Sequence, residues 1–285
     1  MDRFGELKRI LEGLPPLSPV PALNSPPLNS PPPNRSAAAV ARLNARWLAG
    51  TPSNDLSEAG VIMWVVDGDG RYLDGMNTVD PWRAVPDSPT GDRHSASLVS
   101  KRHPYVFACF ACHSDFKYNP GLVLAPSEAT RSRLMCSVHA DIGTVRYRCN
   151  PMGRSATCSP GCSQALCGRD PPWKTWMCSW PPEDLQRMMD THDKMGTGYD
   201  GPLTSEQKYN ELVFASMGDD AWEEDLGQMV EAVFVQKRGN QKSLENARML
   251  RQSLLKRIGA VDGDSELPLV EYDPSENSTP FKLLE

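Results

Sequence analysis

The chain has 285 residues, 39% of them hydrophobic and 23% charged, with a formal net charge of -6. Such a composition supports a folded core rather than a disordered chain, and its acidic balance disfavours a nucleic-acid partner, because phosphate binding requires a basic surface. No stretch is long and apolar enough to span a bilayer, so no membrane partner is expected.

At the start, MDRFGELKRILEGLPPLSP has no continuous apolar run of the kind a secretion leader needs. If the sequence is complete, this predicts a chain that stays inside the cell; the cysteine content fits an oxidising compartment if the N-terminus is incomplete. Phe4, Leu7, Ile10, Leu11 and Leu14 suit one short amphipathic helix, which Pro15 and Pro16 stop. Nine prolines follow between residues 15 and 33, and LNSPP occurs twice in succession, so this segment reads as an extended linker. It is open to a proline-binding module, or to proline-directed phosphorylation at Ser18, Ser25 or Ser30. Ser36 can cap a helix to about Leu48, with Val40, Leu43 and Trp47 on one face and Gly50 at its end.

Residues 61–66 predict a strand, the DGDG at 67–70 a turn, and Arg71, Tyr72 and Leu73 a return strand. Asp67 and Asp69 are spaced like the start of a calcium loop. The later ligand positions are Arg71 and Thr78, however, and Tyr72 replaces the required glycine. Further short strands are expected at 105–111, 122–125, 134–138 and 144–147, and short strands separated by turns suggest an antiparallel sheet. Arg131, Arg133, Arg146 and Arg148 read as solvated charge rather than as a phosphate-binding patch.

All eight cysteines lie between Cys109 and Cys178. Cys109, Cys112, Cys136 and His139 form C-x2-C and C-x2-H pairs, a donor set that could hold a structural zinc, with His113 as an alternative ligand. The spacings among Cys149, Cys158, Cys162, Cys167 and Cys178 are irregular and suit disulfides that fix loops. Free thiols are the third possibility, including a dithiol redox pair at Cys109 and Cys112. Trp173, Trp176 and Trp180 could form a platform for glycan or peptide, or fill the interior of a stapled loop.

Gly121-Leu-Val-Leu, Met135-Cys136, Asp141-Ile-Gly-Thr144, Gly161-Cys162, Trp180-Pro-Pro, Tyr209-Asn-Glu211 and Glu231-Ala-Val-Phe234 together resemble an uncharacterised cysteine-rich domain of dinoflagellate and related algal proteins. The resemblance covers roughly residues 119–235. It implies no reaction, and it favours disulfides over zinc at His139.

Towards the C-terminus, Pro182, Glu183 and Asp184 can open a helix carrying Leu185, Met188, Met189 and His192. Thr204 and Gln207 form a capping-box pattern ahead of Tyr209, Leu212 and Val213. Asp219 or Asp220 can cap a helix carrying Trp222, Leu226, Met229, Val230 and Val233. Asn240 can cap another, with Leu244, Ala247, Leu250, Leu254 and Ile258 in one stripe. Residues from 261 onward read as a polar tail.

The sequence therefore predicts an α+β fold in which short antiparallel strands with cysteine-stapled loops precede a helical C-terminal part. Its expected parts are 1–54 (helices and proline-rich linker), 55–260 (one cysteine-rich domain) and 261–285 (tail). The expected role is a non-catalytic structural or protein- or glycan-binding domain stabilised by disulfides, with no cofactor. The alternatives are a zinc-stabilised intracellular interaction module and an enzyme of unassigned class. No phosphate loop, nucleophile elbow or HExxH pattern is present. Cys136, His139 and Asp141 are the one candidate nucleophile, base and orienter, and the histidines are otherwise expected to be structural or solvated.

Overall fold

A computed structural model describes residues 35–65, 94–104, 120–139, 180–195, 209–214, 227–237, 241–258 and 267–285. The chain divides into two units, Met1–Pro33 and Asn34–Glu285. The first, with the expected N-terminal helix and proline-rich linker, lies outside the described residues. The helix expected over 36–48 is present as α1 (Arg35–Ala49), and its Val40, Leu43 and Trp47 are buried. It belongs to the same compact unit as the sheet, so the folded body begins at Asn34 rather than Asp55.

Asp55 caps the one-turn α2 (Leu56–Ala59), accepting a 2.9 Å hydrogen bond from the Ser57 N–H. The turn ends at Gly60, whose φ of 145° is open only to glycine, and a Cβ there would lie 2.4 Å from the Val99 carbonyl oxygen. The chain then enters β1 (Val61–Val65), followed by β2 (His94–Val99) and β3 (Gly121–Leu124). Ser127 caps α3 (Glu128–Arg133) ahead of β4 (Leu134–Val138). A 3-10 turn at Pro182–Asp184 leads into α4 (Leu185–Met195), as the proline and early acidic residues predict.

Here the observed fold departs from the expected helical C-terminal part. Tyr209, Leu212 and Val213 introduce a strand, β5 (Glu211–Phe214), and Val230 and Val233 lie on another, β6 (Val230–Gln236). Both segments are short apolar runs, and the valine-rich VEAVFVQ meets buried surface on both of its faces. A strand with two buried faces has no alternation to reveal it. The long helix α5 (Gln241–Arg257) is as expected, with Ala247, Leu250 and Leu254 buried. The expected polar tail instead supplies β7 (Leu269–Tyr272) and β8 (Phe281–Leu283). Its few apolar residues, Leu269, Val270, Tyr272 and Phe281, are nearly all core.

The eight strands form one sheet in the order β4-β5-β2-β1-β3-β6-β7-β8. Neighbours are antiparallel except β6 and β7, which run parallel with α5 as the crossover between them. Alternate residues of β1 serve opposite cores. Ile62 and Trp64 join Leu185, Met188, Leu250 and Leu254 from α4 and α5, whereas Val61, Met63 and Val65 join Val40, Leu43 and Trp47 from α1. The result is a helix–sheet–helix sandwich. On β3, Gly121 is demanded by packing, because a Cβ there would come 2.3 Å from the Phe234 ring.

Cysteine-stapled loops do not organise these layers. Cys136 is the one cysteine among the described residues. It takes part in a disulfide, yet it sits on β4 inside the hydrophobic core and not in a loop. Strand pairing and apolar burial on both sheet faces hold the layers together. The other seven cysteines, the DGDG turn, and the expected strands at 105–111 and 144–147 lie outside the described residues.

Two asparagines complete the ladder where strands stop. Asn210 bonds both backbone groups of Leu98, accepting from its N–H (2.8 Å) and donating to its carbonyl (2.9 Å). Asn44 on α1 does the same for Phe281 at the sheet edge, at 3.0 and 2.9 Å. Asn210→Ala strands two buried backbone groups and should cost about 1–3 kcal/mol. Asn44→Ala, where water can substitute, should cost about 0.5–1.5 kcal/mol. Urea unfolding at neutral pH should rank the two variants in that order.

Candidate functional site

Three imidazoles meet at one end of the sheet, each brought there by a different element. His103 follows β2 in a tight turn in which Ser100 and His103 exchange backbone hydrogen bonds of 3.0 Å. That turn is anchored by Lys101 N–H to the Trp47 carbonyl (2.9 Å) and by Tyr272 Oη–H to the Pro104 carbonyl (2.6 Å). His139 stands one residue past β4. His192 lies on α4, one helical turn beyond Met188 and Met189 on the buried face.

All three rings are buried, with exposures of 6% for His103, 1% for His139 and 7% for His192. The His103 and His192 rings stack edge to face with centroids 4.5 Å apart. His192 Nδ1–H donates to the His139 carbonyl, which sets the tautomer of a neutral His192. The His139 ring meets Trp180 edge to face at 5.2 Å, and Trp180 in turn exchanges backbone hydrogen bonds of 2.8 and 2.9 Å with Ser137. Asp193 lies 2.8 Å from His103 Nε2 through one carboxylate oxygen and 3.2 Å from the Arg102 guanidinium through the other.

Burial pushes the His103 pKa down to about 3, helped by the charge of His192 and of Arg102. The Asp193 contact would push it up, but His103 Nε2 makes no aligned hydrogen bond despite the 2.8 Å separation. Arg102 also shares that carboxylate. Desolvation therefore prevails and the ring is neutral. His139 is likewise pushed down to about 3, by burial first and His192 second. Its Nδ1 has no hydrogen-bond partner among the described residues, which a neutral ring tolerates far better than an imidazolium.

The residues singled out in the sequence are only partly brought together. Cys109, Cys112 and His113 lie outside the described residues. Cys136 is engaged in a disulfide, so its sulfur is not the thiolate that zinc or a nucleophilic reaction needs. His139 is turned into the histidine cluster instead. Among the described residues no group of three or more His, Cys, Asp or Glu could hold a metal ion. The zinc-stabilised module is corrected on these grounds, and so is a reaction at Cys136 and His139, whose third member Asp141 lies outside the described residues. Trp180 is 1% exposed and offers no platform, while Trp173 and Trp176 lie outside the described residues. His103 was expected to be an ordinary structural or solvated histidine in polar surroundings. The burial of His192 could be read from its spacing on α4, but the approach of His103 depends on a turn with no apolar period.

Among the described residues, no helix is long and apolar enough to cross a membrane. No protein-family model matches the chain, and no curated protein matches it.

The two depressed histidines make stability depend on pH with a definite sign. In the unfolded chain each titrates near 6.5, and in the fold each stays neutral to about 3. Below pH 6.5 the unfolded state binds protons that the folded state refuses. Stability is thus complete above 6.5 and falls as pH drops toward 3, by about 1.4 kcal/mol per pH unit for each ring. Urea midpoints between pH 7.5 and 4.5 should trace this decline, and His103→Gln should flatten it by about half.

Proposed function

We propose that the chain is an acid-responsive domain in which the histidine cluster keeps α4 on the sheet at neutral pH and releases it in mild acid. The observation that carries this reading is the meeting of His103, His139 and His192 as one buried group drawn from three elements. Protonation would set positive charges at ring-contact distance from one another and beside Arg102. The carboxylate in contact with them is Asp193 on α4, and the buried Glu211 on β5 is in register with Val138, the residue before His139. Asp193 is already shared with Arg102, so repulsion and desolvation act together at this point.

Helix α4 is the element best placed to yield. It is short, it carries both His192 and Asp193, and its N-terminus is tied by the Gln186 N–H to Asn54 Oδ1 at 2.8 Å. The strands β1 and β3 are walled in on both faces and have no ionisable group inside them. With a net charge of -6, the partner that such a domain would hold or release is a protein or a glycan rather than a nucleic acid.

Amide hydrogen exchange at pH 7.5 and 5.0, corrected for intrinsic rates, tests the proposal. Residues 134–139 and 185–193 should exchange at least about tenfold faster in acid while β1 and β3 stay protected. The difference should vanish in His103→Gln/His139→Gln. Simultaneous opening of every strand, or an acid response untouched by the double variant, would overturn it.

A further inference from the structure

The loop joining β7 to β8 carries Asn277, Ser278 and Thr279, an Asn-x-Thr triplet whose middle residue is not proline. All three residues are exposed. The loop is held by its other residues. The Asp273 N–H donates to the Pro280 carbonyl (2.8 Å) and closes it, and the Glu276 N–H donates to the Asp273 carbonyl (3.1 Å). Asp273 Oδ1 accepts from the Ser275 N–H (3.0 Å) and hydroxyl (2.6 Å). The triplet thus stands out from a fixed loop beside β8, the last strand of the sheet.

We propose that Asn277 is an acceptor for an N-linked glycan. In the transfer, Asn277 Nδ2 attacks the anomeric carbon of a lipid-diphosphate-linked oligosaccharide. A C–N bond forms, the C–O bond to phosphate breaks, the lipid diphosphate leaves with the electron pair, and one Nδ2 proton passes to a base of the transferase. Thr279 supplies the hydroxyl that the transferase recognises. Cys136 offers an independent observation, because a disulfide persists in an oxidising compartment, where such transfer takes place. The triplet is exposed beside the last strand of the sheet, and a glycan there would screen that edge from pairing with other chains. Pro280 directly follows Thr279 and restrains the acceptor segment, so occupancy should be partial. The other Asn-x-Ser/Thr triplet without an internal proline, Asn34-Arg35-Ser36, runs into α1, where a helical hydroxyl residue is a poor acceptor neighbour.

The test is translation of the full chain behind a cleavable leader in the presence of microsomes, with intact mass taken on the protease-protected chains. The expected result is an oligosaccharide increment on a fraction of the chains, removed by peptide N-glycosidase. It should be absent in Asn277→Gln and Thr279→Ala and raised in Pro280→Ala. Asn277→Gln changes only an exposed side chain, and its unfolding midpoint should match the parent. Protected chains without an increment, or an increment that survives Asn277→Gln, would overturn the proposal.

Discussion

Burial of both faces of the sheet is the constraint on which the rest of the molecule depends. β1 has no polar residue, and its odd and even positions feed two separate cores. A strand of this kind requires a helix above and below it. α1 meets that need on one side and α4 and α5 on the other. The position of α1 thus follows from the sheet, and so does the inclusion of residues 267–285, because Val270, Tyr272 and Phe281 extend the surface that α1 covers.

Several polar groups within this sheet are matched by partners, and these pairings show how the layers are kept in register. Glu231 on β6 reaches the guanidinium of Arg46 on α1, with both side chains mostly buried, so the helix is fixed along the strand as well as against it. Asn44 and Asn210 replace missing strand neighbours. Where the chain leaves β7, burial tends to push the Asp273 carboxyl up. Bonds from Lys237 and Ser275 outweigh that tendency and hold it below the usual carboxylate range. Lys237 is half exposed, so the pair acts mainly to satisfy a buried carboxylate and adds little net stability.

The histidine cluster is held differently. Each ring is placed by something other than its own chemistry: a turn for His103, a strand end for His139, a helix face for His192. Packing keeps His103 and His139 neutral, and neutrality is what the packing requires. This reciprocity couples the local fold to proton concentration. The disulfide at Cys136 lies on β4, three residues before His139, so the covalent constraint is close in sequence to one member of the cluster.

Local pattern alone determined α1, α4 and α5, the strands expected at 61–66, 122–125 and 134–138 to within a residue, and the shared face of Leu185, Met188, Met189 and His192. In each case a repeat of 3.6 residues or a bounded apolar run reports its own element. The helix expected to carry Met229, Val230 and Val233 is present over 227–229, but Val230 and Val233 belong to β6, and 211–214 form β5, because a strand buried on both faces has no alternation and a few valines can match a helical stripe by chance. Residues 267–285 were misread as a tail because a three- or four-residue strand is too short to show a period. The expected zinc quartet and stapled loops rested on cysteine spacing, which records separation along the chain and not distance in space. Tertiary structure decided that Cys136 faces the core, that His139 turns toward His192, and that His103 closes the cluster. The contacts of His192 with His139 and His103 join residues 53 and 89 positions apart, separations at which only the folded backbone determines which side chains meet.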